Sequence, residues 1–190
     1  MSNELVAGFA DPVTDAQSCF RAVLDAMARP GKRHVVGGTS APAPLCAAAA
    51  AVLLTLADHE TPLWLDPAAG QARPWIAFHT GAAIVPLDQA AFAMALSLPD
   101  LTELPDGTDE MPESGATVIL QVASLVTGRR FLLDGPGLRR PAVLSIDGMP
   151  GDFTAIWQRN HGLYPRGIDL ILCAGDTIAA LPRSVRIQEG

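Results

Sequence analysis

Residues 164–187, YPRGIDLILCAGDTIAALPRSVRI, hold two apolar runs on either side of a Gly175-Asp176 pair. Such runs around a two-residue, glycine-containing loop predict an antiparallel hairpin. Gly175 can supply the positive φ that a type II′ turn needs at its first central position. With helical patterns elsewhere in the chain, this hairpin points to folds in which helices cover a sheet. It holds no obvious catalytic group. It therefore poses the question whether the chain is an enzyme or a protein that works beside one.

Upstream, helical and extended patterns alternate. Thr14-Asp15-Ala16-Gln17 fits a capping box with Thr14 as N-cap, and Phe20, Val23, Leu24 and Met27 follow at helical spacing. Pro30-Gly31 ends that helix. Residues 45–57 predict a second helix, apolar on most faces and so buried. Residues 62–66 and 82–86 read as short strands, 74–79 as a helical turn, and 89–96 as a short helix. Residues 99–114, rich in Pro, Asp, Glu and Gly, read as a mobile surface loop. Residues 116–124 and 130–133 read as strands joined at Thr127-Gly128, a second hairpin. Residues 141–146 are weakly extended, and 152–161 predict a helix with Phe153, Ile156 and Trp157 on one side. No repeat or linker interrupts this order. The expectation is one domain over residues 1–190, an α/β fold with a mixed β-sheet flanked by helices.

An apolar fraction of 49% against 17% charged residues supports a sizeable core and excludes disorder. So few ions fit a surface covered by partners, and equally fit the alanine-rich composition of a high-GC genome. The net charge of −7, without clustered cations, excludes a generic nucleic-acid platform. Cys19, Cys46 and Cys173 are odd in number and form no CxxC, so the expectation is reduced thiols rather than disulfides or zinc. The opening MSNELVAGFADPVTD lacks a basic region followed by an apolar run, so no signal peptide is expected. Residues 41–57 are too short and alanine-rich for a membrane span. The reading is a soluble cytoplasmic protein.

The chain offers little that chemistry needs. DGPGLRR (134–140) has Gly135 and Gly137 but lacks the Lys-Ser/Thr end of a phosphate-binding loop. Either it is a turn after a strand, or Arg139 and Arg140 contact an anion. No G-x-S-x-G elbow is present. His34, His59, His79 and His161 form neither HxH nor HExxH, so no metal site is expected from spacing. Asp169 is an acid inside an apolar strand pattern, either a buried functional carboxylate or a residue that caps a loop where the strand begins. A pyridoxal phosphate aldimine needs a lysine. Lys32 is the sole lysine, and it follows a helix stop.

The stretches DAQSCFRAVLDAMARPG (15–31), VLLTLADHETPLWL (52–65), GATVILQVASL (115–125), GPGL (135–138) and the C-terminal hairpin together resemble the H subunit family of the bacterial carbon–phosphorus lyase system (PhnH). The resemblance implies a fold like the large domain of pyridoxal-phosphate-dependent transferases, without the cofactor lysine and without cofactor. It implies a core complex with G, I and J subunits. It also implies that H, with G, I and L, is needed to displace adenine from ATP and form alpha-D-ribose 1-methylphosphonate 5-triphosphate from methylphosphonate. It brings no catalytic, cofactor or metal residue, so none is assigned. Arg166 stands where the pattern suggests an apolar residue. The expectation is an accessory subunit, homodimeric in isolation, with Arg183 and Arg186 pointing from the end of the hairpin. Two alternatives stay open: a stand-alone anion-binding enzyme using Arg129, Arg130, Arg139, Arg140 and Asp169, and a scaffold without ligand.

Overall fold

The computed structural model describes residues 7–190; the expectation about a leader rests in part on residues 1–6, which lie outside it. Helix α1 (Pro12–Ala28) is capped by Asp11, not Thr14. The Asp11 carboxylate accepts from the Thr14 backbone N–H at 3.2 Å and from Thr14 Oγ1 at 2.8 Å. Pro12 takes the first helical turn, where a missing N–H costs nothing. The capping box therefore misplaced the start by three residues, because Asp-Pro is the better initiator. Cys19, Val23 and Ala26 face the core, while Phe20 and Leu24 remain about half exposed (46% and 53%).

The remaining elements are β1 (His34–Val35), α2 (Ala47–Leu56), β2 (Leu63–Leu65), α3 (Arg73–Thr80), β3 (Phe92–Ala95), β4 (Thr117–Gln121), β5 (Ser124–Asp134), β6 (Ala142–Asp147), α4 (Phe153–His161), β7 (Asp169–Ala174), β8 (Thr177–Leu181) and β9 (Arg186–Glu189). A six-stranded sheet runs β1-β8-β7-β4-β3-β2, and a three-stranded sheet runs β6-β5-β9. Strands β2, β3, β4 and β7 are mutually parallel, and β8 and β1 add antiparallel partners at one edge. The sheet is mixed, and helices flank it.

The main sheet divides two cores by the period-two alternation of its strands. Met94, Ile119 and Ile171 join α1, α2 and α3 on one face. Val118, Leu120, Leu170 and Leu172 join α4 and the smaller sheet on the other. Strands buried on both faces read as continuous apolar runs. Helix α2 is buried from Ala48 to Leu53, as its all-round apolarity predicts. The expected hairpin is β7–β8, with Gly175 at φ 58° and no non-glycine residue at positive φ among those described, as a type II′ turn requires.

Three further expectations are corrected. Residues 89–96 are not a helix: Phe92–Ala95 forms β3, between β2 and β4. Alanine and methionine favour helix locally, but here tertiary burial overrides propensity. Residues 82–86 contribute only a bridge from Ile84 to Leu63. Strands β4 and β5 do not pair as a hairpin; β4 belongs to the large sheet and β5 to the small one. Thr127-Gly128 is a bulge inside β5, where the register to β6 shifts between Ser124 and Arg129.

Gly128 has φ 94°, and a Cβ there would lie 2.5 Å from the Ile146 carbonyl oxygen. Gly128→Ala is expected to lower stability by on the order of 2 kcal/mol, read as a fall in the urea midpoint with an unchanged slope. Residues 99–114 form a surface loop, as expected, with Leu101 and Leu104 buried beneath it and Asp106 and Asp109 paired with Arg166.

Candidate functional site

A groove of about 630 Å³ lies between residues 98–106 and α4. Its geometry follows from how each wall is anchored.

Helix α4 forms one wall. Phe153, Trp157 and Asn160 recur at helical spacing and are buried. The Trp157 indole N–H donates to the Val185 carbonyl at 2.8 Å. The Asn160 amide donates to the Ile168 carbonyl and accepts from the Ile168 N–H, both at 2.8 Å, standing in for a strand partner just before β7. The helix is thereby fixed, and its other side presents Asp152, Ile156 and Arg159 to the groove, with Leu163 beyond its end. Asp152 occupies the N-cap position, yet its side chain makes no cap bond.

Residues 96–116, which connect β3 to β4, form the other wall. Leu101 and Leu104 are buried in the second core. The Asp100 carboxylate accepts from the Thr102 hydroxyl at 2.7 Å and the Thr102 N–H at 2.9 Å. Those bonds, with the nearby Arg159 charge, hold the Asp100 carboxyl below its usual pKa. Two arginines pin the rest. Arg166 reaches Asp106 at 3.3 Å and Asp109 at 3.2 Å. Arg183 Nη1 donates to the Pro112 carbonyl at 2.6 Å.

Arg183 is itself held by Asp169. One Asp169 oxygen accepts from the Arg183 backbone N–H at 2.7 Å; the other accepts from Nε at 3.1 Å and Nη2 at 2.6 Å. The two side chains are only 14% and 12% exposed. Asp169 thus opens β7 as an internal latch, the second of its two sequence readings. The chain passes so closely here that a Cβ on Gly115 would lie 2.5 Å from the Gly167 carbonyl oxygen and 2.6 Å from Arg183 Nη1.

The other sequence candidates lie elsewhere. Arg139 and Arg140 are exposed on the turn after β5, and both Asp169 oxygens are taken by Arg183, so the three are not assembled into an anion site. Arg129 pairs with Glu189 at 2.9 Å and donates to the Pro150 carbonyl at 2.6 Å, while Arg130 is exposed. Arg183 turns inward, against the expectation that it points away from the hairpin, and Arg186 approaches the His161 ring at 3.4 Å.

Lys32 is exposed and pairs with Asp25 at 2.7 Å; Arg29 also pairs with Asp25. His34 lies 3.0 Å from the same carboxylate. Its pKa is nonetheless lowered by desolvation first, then by Lys32 and Arg29, whose charges already compensate Asp25. His59 is exposed, His79 stacks near Trp75, and His161 meets the Arg183 carbonyl at 2.9 Å. No group of three or more His, Cys, Asp or Glu among the described residues could hold a metal ion. The three cysteines are free, and burial pushes the Cys19, Cys46 and Cys173 thiols up. No helix among the described residues is long and apolar enough to cross a membrane.

Sequence reasoning missed the groove, Asn160 and the Asp106–Arg166 pair. No local signal marks them, since their partners are distant in sequence or lie on other elements.

Comparison with known proteins places this architecture. The alpha-D-ribose 1-methylphosphonate 5-triphosphate synthase subunit PhnH of Rhizobium meliloti (strain 1021) is 40% identical over 190 residues, covering 95% of this chain and 94% of that protein. A putative C-P lyase subunit protein, HtxG of Stutzerimonas stutzeri, is 35% identical over 82 residues, 43% of this chain and 42% of that protein. The family model for the bacterial phosphonate metabolism protein (PhnH) matches residues 7–188. With almost the whole described chain matched in this way, the protein belongs to the bacterial phosphonate metabolism protein (PhnH) family.

Proposed function

We propose that this chain is the H subunit of a phosphonate-degrading carbon–phosphorus lyase system. In this reading it acts with partner subunits in forming alpha-D-ribose 1-methylphosphonate 5-triphosphate from ATP and methylphosphonate. The observation that carries the reading is 40% identity, across 95% of the chain, to a protein named as that synthase subunit. The reading extends to G, I and J subunits as partners, to a cytoplasmic location, and to a transferase-like large-domain fold that has lost its cofactor lysine.

Within it the subunit is accessory and the reacting groups belong to its partners. Support comes from what the polar residues do: Asp169, Arg166 and Arg183 secure the 96–116 segment. Lys32 is tied to Asp25 in the loop after α1. The chain is also read as a homodimer in isolation. Val13, Phe20 and Leu24 form an exposed apolar stripe along α1 (68%, 46% and 53% exposed), beside Val35 of edge strand β1 at 72%. Light scattering of the isolated chain should give twice the monomer mass, and Phe20→Glu with Leu24→Glu should give the monomer.

The accessory role is tested in the reconstituted complex. Alanine variants of Lys32, His34, His59, His161, Arg139, Arg140 and Arg166 are expected to keep turnover within about threefold wherever they assemble. A positioned acid or base contributes roughly a hundredfold or more. A variant that assembles fully yet loses that much would place a catalytic group in this subunit.

A further inference from the structure

We propose that the groove between residues 98–106 and α4 receives an extended segment of a partner subunit, carrying an arginine or lysine among apolar residues. The inference rests on the subunit role proposed above and deepens it.

Dimensions point to a peptide. From Asp152 to Leu163 the helical wall runs roughly 16 Å at about 1.5 Å per residue. That length matches about five extended residues at roughly 3.3 Å each. The walls are apolar along this line, through Leu98, Ile156 and Leu163.

Charge selects the occupant. Three carboxylates, Asp100, Asp106 and Asp152, face the groove against one cation, Arg159. Asp106 is compensated by Arg166, and Asp100 is turned onto Thr102. Asp152 has neither a hydrogen bond nor an ion pair from its side chain among the described residues, although it sits where a helix cap would use it. An arginine or lysine opposite Asp152 would complement this excess. Nucleotide and phosphonate anions would meet carboxylates here. A second copy of this chain, with net charge −7, would bring more negative charge to the same rim.

The test titrates the full-length chain into the purified complex of G, I and J subunits and follows association by sedimentation velocity. Asp152→Arg and Ile156→Glu are each expected to weaken association at least tenfold, and the Asp152→Arg effect should shrink as salt rises. Glu60→Arg, on an exposed turn that does not line the groove, should associate like the wild type. Asp152 is exposed, so its replacement keeps the test valid where Ile156→Glu misfolds; circular dichroism checks both. Wild-type association unchanged in both folded variants would overturn the groove proposal and leave the subunit reading standing. Failure of the wild-type chain to associate would overturn both. Loss of ATP or methylphosphonate binding by the isolated variants, or dissociation of a homodimer by them, would assign the groove to another occupant and overturn the proposal.

Discussion

Replacing Asp169 with alanine is expected to destabilise the protein by about 3–5 kcal/mol, the cost of leaving one partner of a buried ion pair alone. The Arg183 side chain is 12% exposed; its guanidinium would lose two bonds to the carboxylate and its backbone N–H a third. For a chain of this length each kcal/mol lowers Tm by about 2–4 °C, so a fall of roughly 6–20 °C should appear in calorimetry. Asp169→Leu combined with Arg183→Leu should recover part of the loss, because an apolar pair removes the stranded charge. Recovery should be incomplete, since Arg183 also donates to the Pro112 carbonyl. The decisive contrast lies in activity. In the reconstituted complex, below its melting point, the Asp169→Ala subunit should support near-normal turnover once assembled. A stable but inactive variant would make Asp169 a functional carboxylate after all.

Trp157→Ala is expected to cost at least as much. The side chain is fully buried between Phe153 and the chain leading into β9, with ring centroids 6.1 Å apart in the aromatic pair. Deleting such a ring costs about 3–5 kcal/mol through lost contact and the cavity left behind. It also removes the donor to the Val185 carbonyl at 2.8 Å, leaving a buried acceptor unpaired. Against a total stability of about 5–15 kcal/mol, such a loss removes a large part of the margin. Trp157→Phe separates the two contributions: it keeps most of the ring contact and loses the hydrogen bond, so its urea midpoint should fall by a fraction of the alanine effect. Equal loss in the two variants would mean that the hydrogen bond, not the packing, holds α4. Because α4 is one wall of the groove, the alanine variant should also bind partner subunits more weakly than its folded fraction alone accounts for.

Much of the architecture was legible locally. Helix α2 announced itself by all-round apolarity, α4 by Phe153, Ile156 and Trp157 at helical spacing, and the β7–β8 hairpin by apolar runs around Gly175. These features are set by periodicity and turn chemistry within a few residues, and the sequence alone determined them. It also carried the family resemblance, spread over stretches from residue 15 to residue 187.

Only the tertiary structure decided the rest. Phe92–Ala95 becomes a strand because β2 and β4 bury it from both sides, against the local preference of its alanines. Thr127-Gly128 becomes a bulge rather than a turn because β5 finds its partners in β6 and β9. Asp169 becomes a latch because Arg183 folds back across the hairpin, and Arg166 finds Asp106 sixty residues away. The groove needs all of these at once. Its walls are set by long-range ion pairs and by packing on one face of the large sheet, and such distant pairings leave no period in the sequence.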